Sequence, residues 1–494
     1  KNRAVDSKYC GWSDAGIIIP WVMYQQTGDI SFIENSYDQM VAYMGAGEYN
    51  TMLYGDWLAY CGTRLPVMNV VYEIYDCVLM EKMSQLIGKA DKAAEYKAKY
   101  EELKASFIET YVDENYNLLT DNKDDFVLPF AKPKMSADNA QTGLLWALKL
   151  NLYTNDEMRD TFIKNLLINI ENKDGTIRPG QDENTLSVGF LGVNVILPVL
   201  TDLGYGDLAY TLMLQDTDPS WLYAVKNGAT TTWERWNSYS VEDGYGDSSM
   251  NSFNHYSYGA SVEWMYNYMA GIKSDEANPG YKHFILQPTA DPAGRIDFVN
   301  GSYNSMYGTI ESQWTSENGE MNSYTAVVPA NTNATLYLEL DENQVQSLAL
   351  PQGAAYAGRE TRNGSDCAKF ELTAGIYSFE IESQANAAVL AAQEAQAAAE
   401  AAQAAAEEAQ VAAEEAQISA ETAQKLAEEA RKKAEDAVKT SGENSASAVL
   451  AKDAAEQAEK DAKAAKGLAE TAQAAAENAK SKAEDAFKAA EEAK

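Results

Sequence analysis

Three spacings of apolar residues follow one another along this chain. Between residues 13 and about 272, apolar side chains recur at three- and four-residue steps, the period of amphipathic helices. The pattern predicts helices over 14–26, 31–46, 66–88, 91–111, 138–150, 155–171, 185–203, 206–215 and 252–270. Start signals agree at Asp29-Ile-Ser, Asp138-Asn and Thr154-Asn-Asp, where short polar side chains can accept from the open amides of a first turn. From about 273 the step shortens to two. Phe284-Ile-Leu-Gln, Gly308-Thr-Ile-Glu-Ser-Gln-Trp, Ser323-Tyr-Thr-Ala-Val-Val, Ala334-Thr-Leu-Tyr-Leu-Glu-Leu, Lys369-Phe-Glu-Leu and Tyr377-Ser-Phe-Glu-Ile read as strands of an antiparallel β-sandwich, punctuated by Gly, Asn and Pro.

The third pattern starts at 385. Alanine fills paired heptad positions from 385/388 to 434/437 and again from 448/451 to 490/493, with Glu, Gln and Lys elsewhere. A seam of the smallest helix former, flanked by polar residues, predicts an Ala-rich helical, coiled-coil stalk that can self-associate by close packing. The heptad phase is unchanged across Lys439-Thr-Ser-Gly-Glu-Asn-Ser445, so the expectation is one long rod with a weak point at Gly442. The chain therefore divides into 1–272, 273–384 and 385–494. The fold class is mainly α: nine helices fit an incomplete (α/α)6 barrel, since six helical hairpins need twelve, followed by the sandwich and the stalk.

Composition narrows the chemistry. At 494 residues the chain can hold two or three domains, each with its own core. A net charge of −35 disfavours nucleic acid and anionic membrane surfaces as partners. Two histidines against 30 tyrosines and nine tryptophans give little for a metal site and more for carbohydrate, so neither a metal nor another cofactor is expected. Cys10, Cys61, Cys77 and Cys367 form no CxxC pair and read as buried or free thiols. No apolar run approaches the roughly 18 residues of a membrane span, and the first residues do not resemble a signal peptide. The absence of an initiator Met suggests a piece of a longer polypeptide.

The densest chemistry lies in Gly228-Ala-Thr-Thr-Thr-Trp-Glu-Arg-Trp236, followed by Asn251-Ser-Phe-Asn-His-Tyr-Ser-Tyr-Gly259. Glu234 stands between Trp233 and Trp236 with Arg235 beside it. Glycosidic bond cleavage takes two carboxyl groups, and aromatic faces bury the apolar side of a sugar ring. A structural role at a helix end or an interface is the competing reading. Trp12, Asp14, Asp56, Trp57 and His255 lie in the loops between predicted helices, where binding groups collect on a barrel scaffold. Core packing for Trp12 and Trp57, and helix N-capping for Asp14 and Asp56, are the alternatives. His283, at a strand start away from these motifs, reads as structural.

Residues 228–236 resemble the signature of bacterial α-L-rhamnosidases of glycoside hydrolase family 78. Gly11-Trp-Ser-Asp-Ala-Gly16 with Ile17-Ile-Ile-Pro-Trp21, Gly55-Asp-Trp-Leu58, Phe190-Leu-Gly192, Pro219-Ser-Trp-Leu222 and Gly280-Tyr-Lys-His-Phe284 agree in the same order, over residues 9–383. The resemblance implies an (α/α)6 barrel and an inverting hydrolase of rhamnose-containing glycosides or polysaccharides. It makes Glu234 the general base and Trp12, Asp14, Asp56, Trp57, Trp236 and His255 the sugar-binding residues. The family's general acid sits in an Asp-Cys-Pro-Gln-Arg-x-Glu-Arg-like segment upstream of the first of these motifs, and this sequence has none. The alternatives are another (α/α)6 carbohydrate enzyme, such as a lyase or phosphorylase, and a non-catalytic sugar-binding surface protein. A stalk joined to such an enzyme suggests a secreted or cell-surface location.

Overall fold

A computed structural model describes residues 8–49, 55–119, 135–136, 138–382 and 384–492. They form two bodies, one ending at Ile381 and the other starting at Glu382.

The helices of the first body are α1 (Ala15–Thr27), α2 (Ser31–Glu34), α3 (Tyr37–Met44), α4 (Leu65–Leu86), α5 (Ala90–Tyr111), α6 (Gln141–Lys149), α7 (Asp156–Glu171), α8 (Ile196–Asp202), α9 (Gly206–Leu214), α10 (Trp221–Lys226) and α11 (Ser261–Trp264). Helices α1, α4, α6, α8 and α11 each touch the next, an inner ring, while α5, α7 and α9 return outside it as the second arms of hairpins. This is the arrangement that the helical spacing predicts. Apolar faces close around Met68, Val71, Phe107, Leu145, Trp146, Phe162, Leu197, Tyr210 and Trp264, all buried. Two of the predicted start signals act: Asp29 accepts from the Ser31 N–H at 2.9 Å, and Asn155 caps α7 by accepting from the Met158 N–H at 2.9 Å.

Three predicted helices differ from the observed ones. The 31–46 run breaks into α2 and α3. The 252–270 run becomes a 3-10 turn at Ser257–Ala260, then α11, then a π turn at Met265–Met269. In 185–203 only Ile196–Asp202 is helical. Residues 185–195 instead form a buried loop pressed against 56–61, with the Tyr60 N–H bonding to Ser187 O at 3.0 Å and the Phe190 N–H to Trp57 O at 2.9 Å. Gly189 permits this contact, because a Cβ there would stand 2.3 Å from Trp57 O and 2.7 Å from the Ala59 nitrogen. The apolar residues of the run face the core from a loop, which helical periodicity cannot distinguish from a helix.

The sandwich packs a five-stranded sheet, in the order Ala354–Arg362, Ser365–Leu372, Asn333–Leu338, His283–Leu286 and Ile272–Ser274, on a four-stranded one, Gly375–Glu380, Glu320–Val328, Gly308–Glu317 and Phe298–Ser305. Every strand pair is antiparallel except Asn333–Leu336 with His283–Leu286. Phe284, Leu286, Trp314, Tyr324, Leu336, Phe370 and Phe379 fill the core between the sheets. The Trp314 indole N–H bonds to Met269 O at 2.7 Å and the Tyr210 hydroxyl to Thr289 O at 2.6 Å, which locks the sandwich to the helices before it. A short helix, α12 (Glu342–Ser347), carries a complete capping box. His283 bridges Asp275 and Thr335 through its two ring nitrogens, a structural tie within this domain. All four cysteines are buried and free.

The second body consists of α13 (Gln384–Ser441) and α14 (Ala446–Glu492) packed along each other, so the single rod expected from the sequence is not what forms. Ala399, Ala413, Ala427 and Ala434 of one helix and Ala448, Ala469, Ala476, Ala483 and Ala490 of the other are buried. An alanine seam leaves so little between helix backbones that a second such seam is its best partner. Gly442, at φ 77°, ends α13 in the left-handed conformation and bonds back to Val438 O at 3.1 Å. Ser445 then caps α14 by accepting from the Ala448 N–H at 3.2 Å. Outside the seam, Gln396, Gln403, Gln410 and Gln417 each donate to the glutamate four residues on, one pair per heptad. The seam alanines at 385, 388, 392 and 493 lie outside the described side chains.

Candidate active site

The loop after Gly55, the first turn of α6 and the 185–195 segment meet, and the Asp56 carboxylate holds them together. Its Oδ2 accepts from the Thr142 hydroxyl and, at 2.9 Å, from the Gly189 N–H, while Oδ1 accepts from the Leu191 N–H at 2.9 Å. Burial pushes its pKa up to about 6, and these donors work against that rise. On the far side of the segment, Arg178 is fully buried and donates to the carbonyls of Asn169, Ile170, Thr185 and Leu186. The indole N–H groups of Trp146 and Trp236 bond to Leu191 O and Val188 O at 2.7 and 2.8 Å.

Phe190 points from this segment toward the loops of the signature. Its ring lies 5.0 Å from the His255 ring and 5.4 Å, edge-on, from Tyr258. His255 donates its backbone N–H to Thr232 O at 2.8 Å, and its Nδ1 accepts from the Ser257 N–H at 3.3 Å. In the neutral ring that bond leaves the proton on Nε2, so the outer nitrogen is a donor. Glu234 is half-buried and bonded twice to Ser252: its N–H to Ser252 O at 2.9 Å, and its Oε2 from the Ser252 N–H at 2.7 Å. Its Oε1 receives no protein donor among the described residues. Tyr258 ties the set together. It stacks on Trp236 at 3.9 Å and bonds to Leu58 O, and its hydroxyl is pushed well above its usual pKa by burial and then by the charges of Asp56 and Glu234, against Arg235.

The sequence-predicted residues fall into two groups. Glu234, His255, Trp57 and, through Gly11 against Leu191, the loop of Trp12 are brought together by these contacts. Trp12 is 37% exposed and Trp57 only 7%. Asp14 and Asp56 are enclosed and do not reach open space, and Trp236, though buried, reaches only the aromatic cavity described below. Asp14 is fully buried and caps no helix, accepting instead from the Gly11 N–H at 2.5 Å and from the Tyr43 and Tyr49 hydroxyls at 2.7 and 2.6 Å. Trp236 has Tyr258 on one face and Trp221 edge-on at 5.5 Å. Sequence reasoning passed over Asp76, Tyr43 and Tyr49. Asp76 carried a signal: it is a charge on the inward face of a helix, next to Cys77.

A cavity of about 300 Å³ adjoins this set. Trp221, Trp233, Trp236 and Tyr258 wall it, Thr230, Thr231 and Thr232 line it, and Arg235 contributes a guanidinium whose Nε is buried without a partner. The lining includes both sequence neighbours of Glu234, not Glu234 itself. The arrangement offers a half-buried carboxylate and a histidine on paired backbone segments, next in sequence to an aromatic-walled cavity, the parts used on a sugar.

Comparison with known proteins agrees. The family model for the bacterial alpha-L-rhamnosidase 6 hairpin glycosidase domain matches residues 3–269, and that for the bacterial alpha-L-rhamnosidase C-terminal domain matches residues 271–349. An alpha-L-rhamnosidase of Streptomyces avermitilis is 32% identical over 380 residues, 75% of this chain and 33% of that protein. One from Formosa agariphila is 31% identical over 350 residues, 68% of this chain and 34% of that protein. The crystal structure of Streptomyces avermitilis alpha-L-rhamnosidase complexed with L-rhamnose superposes with a TM-score of 0.63 at 29% identity, covering 76% of this chain and 33% of that one. The chain thus spans about a third of the length of these relatives. These matches, over the helical ring and the sandwich alike, establish that the chain belongs to the bacterial alpha-L-rhamnosidase family.

Proposed function

We propose that this chain hydrolyses terminal α-L-rhamnosides with inversion, with Glu234 as the general base. The observation that carries the reading is the setting of Glu234: Ser252 fixes one carboxylate oxygen, the other has no protein donor among the described residues, and the same paired segments carry His255. A base that activates water needs such a free oxygen at a fixed place. Trp12 and Trp57 are the stacking surfaces, and His255 Nε2 donates to a ring hydroxyl. Asp14 and Asp56 act indirectly, by fixing the loops that carry these groups, and Trp236 walls the aromatic cavity.

The second carboxyl is not Asp56, although its pKa is raised. Both its oxygens already accept hydrogen bonds from protein donors, so it has no free proton to give. The proton donor is assigned to the segment that the family resemblance places upstream of the Gly11-Trp-Ser-Asp14 motif. The aromatic cavity beside Glu234 takes the leaving group.

The test is hydrolysis of an aryl α-L-rhamnoside, followed by NMR of the first-formed sugar. The β-anomer appears first, and Glu234→Gln lowers kcat by about 10²–10⁴-fold. Initial release of the α-anomer would remove the inverting assignment, and an unchanged kcat in Glu234→Gln would remove the base.

A further inference from the structure

Asp76 lies in the middle of α4, fully buried, against the equally buried Asp14. Around them stand two phenols that burial keeps protonated, Tyr43 and Tyr49. The Tyr49 hydroxyl is 2.6 Å from Asp14 Oδ1 and 3.3 Å from Asp76 Oδ2, and the Tyr43 hydroxyl is 2.7 Å from Asp14 Oδ1. A phenol has one proton, and at these distances both protons go to Asp14. Asp76 Oδ1 has no donor among the described residues. An ionised carboxylate in that position would be dry and unsolvated, with a second negative charge in contact.

Other charges do not relieve this. Lys8 lies over the Tyr43 and Tyr49 rings at 4.9 and 5.4 Å and gives its hydrogen bond to Met44 O at 3.4 Å. Its charge favours the ionised form of Asp76 but ranks below burial, Asp14 and the hydrogen bonds among the influences on it. On its own helix, Tyr72, Tyr75 and Cys77 are raised by burial and neutral near pH 7, as is Cys10 beside Asp14, and Glu73 stands three residues before Asp76. The carboxyl pair therefore holds one proton between two sites, and the site with fewer donors keeps it.

We propose that Asp76 is a positioning residue: it remains a carboxylic acid and donates its proton to Asp14, and the bond holds the turn that presents Trp12. Asp14 transmits the effect directly, because its other oxygen accepts the Gly11 N–H at 2.5 Å, and Ser13 is bonded to the same Tyr43 hydroxyl at 2.7 Å. Loss of the proton places two negative charges beneath the turn and releases it. In its effect on catalysis, the proposal rests on the reading of Trp12 as a sugar-stacking surface. Its chemistry does not.

The sign of the pH effect follows. The carboxyl pKa of Asp76 is raised in the folded state by burial and then by Asp14, so the unfolded chain gives up this proton first. The stability it contributes is full below the ordinary carboxylate pKa, about 4, and is lost as pH rises toward the folded value. Asp76→Asn keeps an N–H donor and the shape of the side chain, and removes the proton.

The experiment compares wild type, Asp76→Asn and Asp76→Ala in the full chain. Infrared difference spectra at neutral pH, wild type minus Asp76→Asn, show a carboxylic-acid carbonyl band. The kcat/KM for an aryl rhamnoside has an alkaline limb in wild type that is absent in Asp76→Asn. Asp76→Asn retains activity within about twofold, whereas Asp76→Ala loses roughly tenfold, about 1.4 kcal/mol. A carboxylate band in place of the acid band, or an Asn variant as impaired as the Ala variant, overturns the proposal. If no variant hydrolyses rhamnosides, the infrared band still decides the proposal and only the assigned function fails. If Asp76→Asn does not fold, a titration of the wild-type acid band replaces the comparison, and its disappearance near pH 4 is the refuting result.

Discussion

Replacement of Arg178 by methionine tests how the site end of the helical ring is held. The guanidinium is fully buried, no carboxylate among the described residues pairs with it, and burial pulls its pKa down to about 10. It is therefore charged at neutral pH and stabilised by neutral acceptors alone: four backbone carbonyls, the Gln181 side-chain oxygen and the Thr185 hydroxyl. Methionine fills most of the volume and donates nothing. Thr185 O keeps the Gln141 amide at 3.2 Å, and the other three buried carbonyls lose their side-chain donor at about 1 kcal/mol each, the low end for an unsatisfied buried group. Removing a buried charge returns part of this, on the order of 1 kcal/mol. The net loss is about 2 kcal/mol, or roughly 4 °C in melting temperature at about 2 °C per kcal/mol for a body of this size. Differential scanning calorimetry measures it. Because residues 185–192 support Phe190 and hence His255, KM for a rhamnoside should rise with the loss of stability. Arg178→Lys, with three donors at a single point, recovers only a fraction. A melting temperature within about 1 °C of wild type would show that the carbonyls find other partners and that Arg178 does not anchor the segment.

Two further outcomes follow from other parts of the molecule. Ala224→Phe narrows the aromatic cavity beside Glu234, so KM should rise severalfold for a rhamnoside with a bulky leaving group and stay unchanged for a methyl rhamnoside; equal effects on both would place the leaving group elsewhere. Dyes on Glu400→Cys and Lys488→Cys should report efficient energy transfer, because the folded-back helices bring these ends together, whereas a continuous helix would separate them by roughly 130 Å at 1.5 Å per residue.

Much of the architecture is legible in the sequence because burial leaves a period. The inner and outer helices show three- and four-residue steps, and the strands of the sandwich alternate. The misreadings have physical causes. Residues 185–195 are as apolar as a helix, but their backbone bonds go to another loop, which is a tertiary fact that no local period records. The stalk's alanine pattern is identical for a rod and a hairpin, since the same seam serves either partner; only the glycine and serine at its centre hint at the turn. At the site, Glu234 and His255 are visible from residue type and neighbours. The enclosure of Asp14 and Asp56 is not, because their donors come from Gly11, Tyr43 and Tyr49 in one case and from Thr142, Gly189 and Leu191 in the other, and sequence distance conceals such meetings.

The Asp56 cradle also bears on how this end of the protein can diversify. Its contacts in the 189–191 stretch are peptide N–H groups, which every residue but proline supplies. Gly189 is fixed by the contact with Trp57, and Gly192 by Thr142, whose hydroxyl would lie 2.2 Å from a Cβ. Leu191 is confined by Gly11. Phe190, between these positions, turns toward His255 a side chain that the cradle does not read. Substitution at this one position can therefore change the surface beside His255 while the frame around it stays the same, so variation in sugar or leaving-group preference among related sequences is expected to concentrate at residue 190.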